Sequence, residues 1–165
     1  MVGRARYVVM FLIAACGGEA RTLDPRIDAA VPGDTASICT YPATTAFGGH
    51  HYRRTTVNAG WDSGKADCES DGGHLVKIES ADEDAFLEAA LNSSALWIGA
   101  RLSAPSHVYR WTDGTPISYN HWAENQPSTT EPGCVVQLTV GTLRSGTWAT
   151  GNCDSLALAA CECDR

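Results

Sequence analysis

Hydrophobic residues in this chain are grouped into short runs that alternate with polar, turn-forming segments. The central run, LWIGA at 96–100, lies between a Ser-Ser pair and a Ser-Ala-Pro segment. It is too short for a helix that is buried on all sides, so it predicts a buried strand. Gly99 has no side chain to pack, which predicts a bulge or the close approach of another backbone.

Two segments before this strand predict helices. Residues 61–71 place Trp61, Lys65 and Cys68 on adjacent turns, and two glycines then stop the helix. A second helix opens at Ser80 with a capping box, in which Ser80 and Glu83 accept hydrogen bonds from each other's backbone N–H groups. Its predicted buried stripe is Phe86, Leu87, Ala90 and Leu91.

The remaining runs predict short strands. We expect one or two strands in 39–57 that pair with the C-terminal end, then strands at 108–111, 134–140, 147–149 and 156–163. Residues 116–133 form a long polar segment between two of them. A loop of this length within a compact domain is usually functional.

The N-terminus has the pattern of an export signal. Arg4 and Arg6 precede an apolar stretch at 7–15 that is too short to span a bilayer. Residues 16–38 are polar, with Pro25 and Pro32, and predict a flexible tether. The alternative is that part of this segment forms a first strand of the domain.

The residues around Cys16 resemble the lipobox of bacterial lipoproteins. The motif is Ile13-Ala14-Ala15-Cys16, and the resemblance implies removal of residues 1–15, a lipid on Cys16 and an anchor in the bacterial cell envelope. Ordinary signal cleavage, which leaves Cys16 as a spare thiol, is the alternative. The chain has seven cysteines, and without Cys16 six remain for disulfides in an oxidising compartment.

The charge balance makes some partners unfavourable. The chain has 12 basic and 19 acidic side chains, and loss of Arg4 and Arg6 would leave 10 basic and a formal charge of −9. Nucleic acid and anionic membrane surfaces are therefore unexpected partners. A lipid on Cys16, rather than charge, would hold the protein to a membrane.

The order of motifs in residues 39–164 resembles the C-type lectin-like domain. The matching segments are Ala66-Asp67-Cys68, Gly72-Gly73-His74-Leu75, Trp97-Ile98-Gly99, Trp111-Thr112-Asp113-Gly114, Trp122, Cys134-Val135-Val136, Trp148, Cys153 and Ala160-Cys161-Glu162. The resemblance implies an α+β fold at 39–165, with two helices flanking short antiparallel sheets, a long loop region and stabilising disulfides. It implies the pairs Cys68–Cys161 and Cys134–Cys153, which leaves Cys39 for Cys163, and it makes four of the tryptophans structural.

The resemblance also implies a calcium-dependent sugar site, which this sequence matches poorly. In such lectins a Glu-Pro-Asn or Gln-Pro-Asp tripeptide and a following Trp-Asn-Asp supply oxygens to calcium and sugar. Here the segments read Gln126-Pro127-Ser128 and Trp148-Ala149-Thr150, and calcium sites need several carboxylates. The candidate ligand-binding residues are Glu124, Asn125, Gln126, Ser128, Glu131 and Thr150.

A second, structural calcium is implied beneath the second helix. The matching carboxylates are Glu79, Glu83 and Glu162, but Lys77 replaces a serine of the family pattern. The alternative interpretation is that Lys77 pairs with these carboxylates and takes the place of the metal. Calcium is thus a possible cofactor at either position, in competition with an ion-free arrangement.

Other candidate chemistry has less support. His50 and His51 point to opposite faces of a strand, so at most one of them serves any given site, and no nearby carboxylate or cysteine is expected to complete a ligand set. Asp82, Glu83 and Asp84 are explained by the first turn of a helix, where negative charge is favourable. The motifs of serine hydrolases, zinc proteases, P-loop proteins and Cys-x-x-Cys redox proteins are missing from the sequence, so an enzyme is not expected.

The sequence therefore predicts non-catalytic recognition of a ligand, with a glycan favoured by the resemblance. The alternative is a protein-interaction module that keeps the scaffold and has lost the calcium-dependent sugar site. The substitutions at Ala149 and Thr150 favour that alternative.

Overall fold

The computed structural model describes residues 41, 45–104, 106–129, 132–138 and 146–164. Several predictions concern residues outside these ranges, namely the signal segment, the tether, Cys16, Cys39 and Glu131. None of the helices within these ranges is long and apolar enough to cross a membrane.

Both predicted helices are present. The first, α1, is Trp61–Ser70 and ends before Gly72, whose φ of 78° is readily adopted only by glycine. The second, α2, is Ala81–Leu91 with Ser80 as its N-cap, and the Ser80 hydroxyl accepts from the Glu83 N–H at 3.2 Å. Glu83 differs from the prediction, because its carboxylate accepts from the Glu79 N–H at 2.8 Å.

The predicted strands are present in order along the chain, together with one short strand between the helices, His74–Leu75, that was not predicted. They are β1 (Ala46–Phe47), β2 (His50–Arg54), β3 (His74–Leu75), β4 (Ala95–Ser103), β5 (Val108–Trp111), β6 (Cys134–Leu138), β7 (Thr147–Gly151) and β8 (Leu158–Asp164). The last strand begins two residues later than predicted. Leu156, which the prediction included, is 75% exposed and lies outside it.

The strands form one sheet in the order β1-β2-β8-β4-β6-β7, with β3 also paired to β8 and β5 to β4. All pairs are antiparallel except β4 with β8, which run parallel. With two helices and this mostly antiparallel sheet, the domain is of the α+β class. As predicted, β2 near the start of the domain pairs with β8 at its end.

Strand β4 lies at the centre of the fold and is buried from Leu96 to Ala100. Gly99 has the close approach that the sequence predicted: its N–H donates to the Val76 carbonyl at 2.8 Å. A Cβ at this position would lie 2.8 Å from the Leu75 carbonyl oxygen. The register of β4 against β6 also shifts between Trp97 and Arg101, so the pairing is irregular around Gly99.

Two of the implied disulfides are present, Cys68–Cys161 and Cys134–Cys153. The first joins α1 to β8, and the second joins β6 to the segment after β7. Cys163 is also disulfide-bonded, and its expected partner Cys39 lies outside the described ranges. The second disulfide also holds the C-terminal end of the loop region, since Cys134 directly follows it.

Candidate functional site

The predicted recognition loop is built on a cluster of aromatic rings. Trp148 of β7 is completely buried. The rings of Trp111, Tyr119 and Trp122 each meet it edge-on, with centroids 5.6–5.7 Å away. Backbone hydrogen bonds from Ala123 N–H to the Trp148 carbonyl, and from Trp148 N–H to the carbonyl of residue 121, hold the loop to β7 at 2.8 and 2.7 Å. The loop therefore rests on a rigid base.

A buried carboxylate, Asp84 of α2, lies beneath this base and is only 3% exposed. It accepts hydrogen bonds from Gln137 Nε2 at 2.5 Å, His121 Nδ1 at 2.7 Å, and Tyr119 Oη and Trp148 Nε1 at 3.1 Å each. Asp84 lies in the first turn of α2, as predicted, but its side chain also points into the core and joins α2 to β6, β7 and the loop, which the prediction did not include. Burial and the neighbouring Asp84 raise the pKa of Tyr119 to about 12.

Sequence reasoning missed this network because its members lie far apart along the chain. Asp84 and Trp148 are 64 residues apart. The signal that was available is an interruption of the helix pattern, in which an acidic residue occupies a position three residues before Leu87 on the buried face.

Gln126 and Thr150, two candidate ligand-binding residues, bind each other. The Gln126 amide oxygen accepts from the Thr150 hydroxyl at 2.7 Å and from the Thr150 N–H at 3.0 Å. The Ser128 N–H donates to the Thr150 hydroxyl at 3.2 Å, and the Ser128 carbonyl accepts from Tyr109 Oη at 2.7 Å. The peptide bond before Pro127 is cis. Protein donors thus use both lone pairs of the Gln126 amide oxygen.

The exposed rim of the loop is formed by Glu124 and Asn125. Both are exposed, and Asn125 has a φ of 61°, a left-handed conformation that asparagine adopts more readily than most residues. The Gln126 N–H donates to the Ala123 carbonyl at 3.0 Å and closes the turn between them. A carboxylate and two amides thus follow one another along the exposed or half-exposed part of the loop.

The three carboxylates of the second candidate calcium site are directed to different partners. Glu83 accepts from Tyr52 Oη at 2.9 Å in addition to the Glu79 N–H, while Glu79 pairs with Lys77 Nζ at 3.1 Å. Glu162 accepts from the Lys77 N–H at 2.9 Å. Burial raises the pKa of the Glu162 carboxyl, against the opposing effect of that hydrogen bond.

Lys77 pairs with one of the predicted carboxylates and with a second acid outside the predicted set. Its Nζ lies 3.1 Å from Asp113 as well as from Glu79. Hydrogen bonds from the Thr115 hydroxyl and N–H, together with Lys77, lower the pKa of Asp113 to about 2. The lysine thus offsets part of the negative charge of Glu79 and Asp113, as the alternative interpretation expected for Glu79.

The expectation that no carboxylate accompanies His50 is wrong. His50 Nδ1 lies 2.6 Å from Asp164 Oδ1 and 3.0 Å from Glu162 Oε1, because β2 pairs with β8 and places residue 50 opposite residue 164. These two acids are more than 100 residues away in sequence. His51 takes no part in the group, in agreement with the opposite-face argument.

Three comparisons with known proteins agree with this architecture. The model of the family described as "Lectin C-type domain" matches residues 57–163. The Type-2 ice-structuring protein of Brachyopsis segaliensis is 33% identical over 79 residues, which are 48% of this chain and 46% of that protein. The matched part thus spans about half the length of this relative.

Two solved structures share the fold at higher coverage. The structure titled "SPL-1 - GlcNAc complex" has a TM-score of 0.64 and 32% identity, and the match covers 72% of this chain and 90% of that one. The calcium-independent C-type lectin SPL-2 from Saxidomus purpuratus has a TM-score of 0.65 and 31% identity, with 72% and 89% covered. Given its fold, its disulfides and the family match over residues 57–163, the chain belongs to the C-type lectin domain family.

Proposed function

We propose that this domain is a non-catalytic recognition module that binds a carbohydrate at the loop rim, without calcium. The observation that carries the proposal is the hydrogen bonding between Gln126 and Thr150. The Gln126 amide oxygen, which the family pattern directs to calcium, accepts two protein hydrogen bonds at 2.7 and 3.0 Å. Threonine in place of the family's carboxylate removes a charge that calcium would need.

The same contacts prepare the rim to bind a sugar directly. Sugar hydroxyls both donate and accept hydrogen bonds, so they match a surface that combines a carboxylate with amide N–H donors. Glu124 offers the carboxylate, and Asn125 and the Gln126 NH₂ group offer the donors. Because the loop is already fixed by Thr150 and Tyr109, little conformational entropy is lost on binding. Two similar proteins support this choice of ligand and mechanism, since SPL-1 forms a complex with GlcNAc and SPL-2 is a calcium-independent lectin.

A glycan-array screen tests the proposal. The oxidised protein is applied in parallel with calcium and with EDTA, and we expect the same hits in both buffers. Hits that need calcium would show that the loop assembles a metal site and would contradict the metal-free mechanism. A blank array in both buffers would favour the protein-interaction alternative.

Two variants connect any hits to the rim. Thr150→Val removes the hydroxyl that donates to the Gln126 amide oxygen, and Glu124→Gln removes the exposed negative charge. Each variant is expected to weaken sugar binding at least about tenfold. Thr56→Val is the matched control, since Thr56 is exposed and lies outside the loop. Equal binding by all three variants would place the sugar elsewhere.

We further propose that the domain is exported and anchored to a bacterial cell envelope through lipid on Cys16. The lipobox resemblance and the apolar segment before it support this location. Labelling of cells with a fatty-acid analogue, followed by comparison with Cys16→Ser, tests the proposal. Label that remains on the serine variant would contradict it.

A further inference from the structure

The part of the sheet formed by β2, β8 and β3 carries side chains suited to a transition metal, outside the loop rim. Glu162 and Asp164 are two residues apart on β8 and therefore point to the same face. Residue 50 on β2 lies opposite Asp164, and residue 74 on β3 lies opposite Glu162. Paired residues of neighbouring strands share a face, so two histidines and two carboxylates are brought together.

We propose that His50, Glu162 and Asp164 form a binding site for a zinc-like divalent transition metal. One atom from each, namely His50 Nδ1 and a carboxylate oxygen of each acid, lies within 4.8 Å of the other two. His50 Nδ1 is 3.0 Å from Glu162 Oε1 and 2.6 Å from Asp164 Oδ1. This set shares Glu162 with the calcium site implied by the sequence, but it uses neither Glu79 nor Glu83.

The distances suit an ion after a small adjustment. Zinc binds histidine nitrogen and carboxylate oxygen at about 2.0–2.2 Å, so the ligand atoms of a tetrahedral site are about 3.4 Å apart. The two contacts of His50 are shorter than this, so each must open by less than about 1 Å for zinc to enter. Rotation of the exposed Asp164 and half-exposed His50 side chains allows this opening, while Glu162 is held by the Lys77 N–H.

The charges around the group also favour a cation. The carboxylates of Glu162 and Asp164 pair with histidines, whereas the two lysines of the surrounding cleft pair with other acids: Lys65 with Glu69, and Lys77 with Glu79 and Asp113. A neutral His50 therefore leaves two negative charges without a lysine or arginine partner among the described side chains. A bound divalent ion would neutralise both.

The ligand types decide between metals. Calcium binds through six to eight oxygen atoms, whereas a nitrogen ligand with two carboxylates suits zinc and related metals. His74, opposite Glu162 on β3, is a candidate for a further ligand, and its ring lies close to Glu162, with Nδ1 4.0 Å from Glu162 Oε2. Its Nδ1 lies 2.9 Å from the Leu75 carbonyl, an acceptor that requires a proton on Nδ1 and leaves Nε2 free to bind metal.

The group faces a cleft of about 490 Å³. A metal with three protein ligands keeps a coordination position for a fourth, supplied by His74, by water or by a small anionic ligand that enters the cleft. The site is thus accessible from solvent, and zinc can be added to the folded protein.

Calorimetric titration of the EDTA-treated, dialysed, oxidised protein with zinc chloride tests the site. Cys16 is replaced by serine in every sample, because a free thiolate would compete for zinc. We expect one zinc per chain with a dissociation constant on the order of 10 μM. His50→Gln and Asp164→Asn are each expected to weaken binding at least about tenfold, and cobalt(II) should give a visible absorption band that zinc abolishes.

His107→Asn is the matched control. His107 is exposed and has a φ of 51°, which asparagine tolerates, so this variant should bind zinc like the parent. Melting curves without zinc verify that each variant folds. Absence of binding at 1 mM zinc, on the order of 100 times the expected dissociation constant, would overturn the proposal. Zinc binding that is unchanged in both ligand variants would also overturn the proposal. If calcium displaces the zinc and Glu79→Gln abolishes the binding, the metal belongs instead to the calcium site implied by the sequence, and the proposal is likewise overturned.

Discussion

Asp84 shows how much one side chain contributes to the recognition loop. Its carboxylate accepts from Tyr119, His121, Gln137 and Trp148. These donors come from the loop and from two strands, so their positions relative to α2 depend on a single acceptor. A buried donor that loses its acceptor costs the full desolvation free energy of the group.

We therefore predict that Asp84→Ala lowers the free energy of unfolding by roughly 2–4 kcal/mol, because it leaves the Trp148 and Gln137 donors buried without an acceptor. Urea unfolding followed by tryptophan fluorescence measures the change. Asp82→Ala is the control: Asp82 is an exposed acid in the same first turn, and we expect it to cost no more than about 1 kcal/mol. Equal losses for the two variants would show that helix electrostatics, not the buried network, explains Asp84.

The acid dependence of stability has a contribution from Asp113. Its pKa of about 2 in the folded protein lies below the ordinary value of 3.8. The folded state therefore favours the ionised form, and the resulting stability is fully present above pH 3.8 and disappears as the pH falls toward 2. Asp113 is 48% exposed, so solvent screens its ion pair with Lys77 and the effect is small.

The prediction is that Asp113→Asn is less stable than the parent at pH 5 and that the difference shrinks as the pH falls to 2. Urea unfolding at intervals of pH between 2 and 6 provides the comparison. Asp154→Asn serves as the control, because Asp154 is exposed and has no ion pair with any residue that the structure describes. Its difference from the parent should stay constant over this pH range. A difference between Asp113→Asn and the parent that grows on acidification would contradict the assignment.

At the scale of elements, β4 depends on a close approach to the end of β3 and the residue after it. Gly99 is necessary there because a Cβ atom at this position would lie too close to two carbonyl oxygens, 2.8 Å from that of Leu75 and 2.9 Å from that of Val76. Both atoms belong to backbone, which moves less easily than the end of a side chain. Larger residues at this position must therefore displace that backbone.

We predict that Gly99→Ala lowers the free energy of unfolding by about 1–3 kcal/mol, the usual cost of overpacking a core. Gly151→Ala is a matched control, because a Cβ there would lie an ordinary 3.5 Å from the Trp97 ring. Thermal and urea unfolding of the two variants give the comparison. A Gly99→Ala protein as stable as the parent would mean that the approach is loose.

Local signals allowed most elements to be predicted from the sequence. The helix starts at Trp61 and Ser80 and the buried run at 96–100 depend on neighbours within a few residues, and the structure contains all three. The order of cysteines and tryptophans gave two disulfides through the family resemblance. These features require no knowledge of strand pairing.

The features that were not predicted depend on pairing between distant segments. The approach of Asp164 to His50 follows from the register of β2 with β8, which hydrophobic alternation does not specify. Gln126 was recognised as a site residue, but the hydrogen bonds from Thr150 that occupy its oxygen became visible only with the loop in place. The sequence thus identifies candidate residues of the site more readily than their partners.

The two described disulfides constrain the whole molecule to different extents. Cys68–Cys161 joins residues 93 apart, and Cys134–Cys153 joins residues 19 apart. In the chain-entropy model a longer closed loop removes more freedom from the unfolded chain, which gives roughly 4–5 and about 3 kcal/mol for the two bridges. Their four sulfurs belong to buried residues, with exposures of 7% or less.

We therefore predict that the double variant Cys68→Ala/Cys161→Ala loses about 1–2 kcal/mol more free energy of unfolding than Cys134→Ala/Cys153→Ala. Each double variant is the control for the other, since both replace two buried half-cystines by alanine and so remove similar apolar contacts. Urea unfolding of the oxidised proteins measures the two losses. The short bridge holds the recognition loop near β6, so its removal should also weaken sugar binding. A larger stability loss for the short bridge than for the long one would contradict the entropic account.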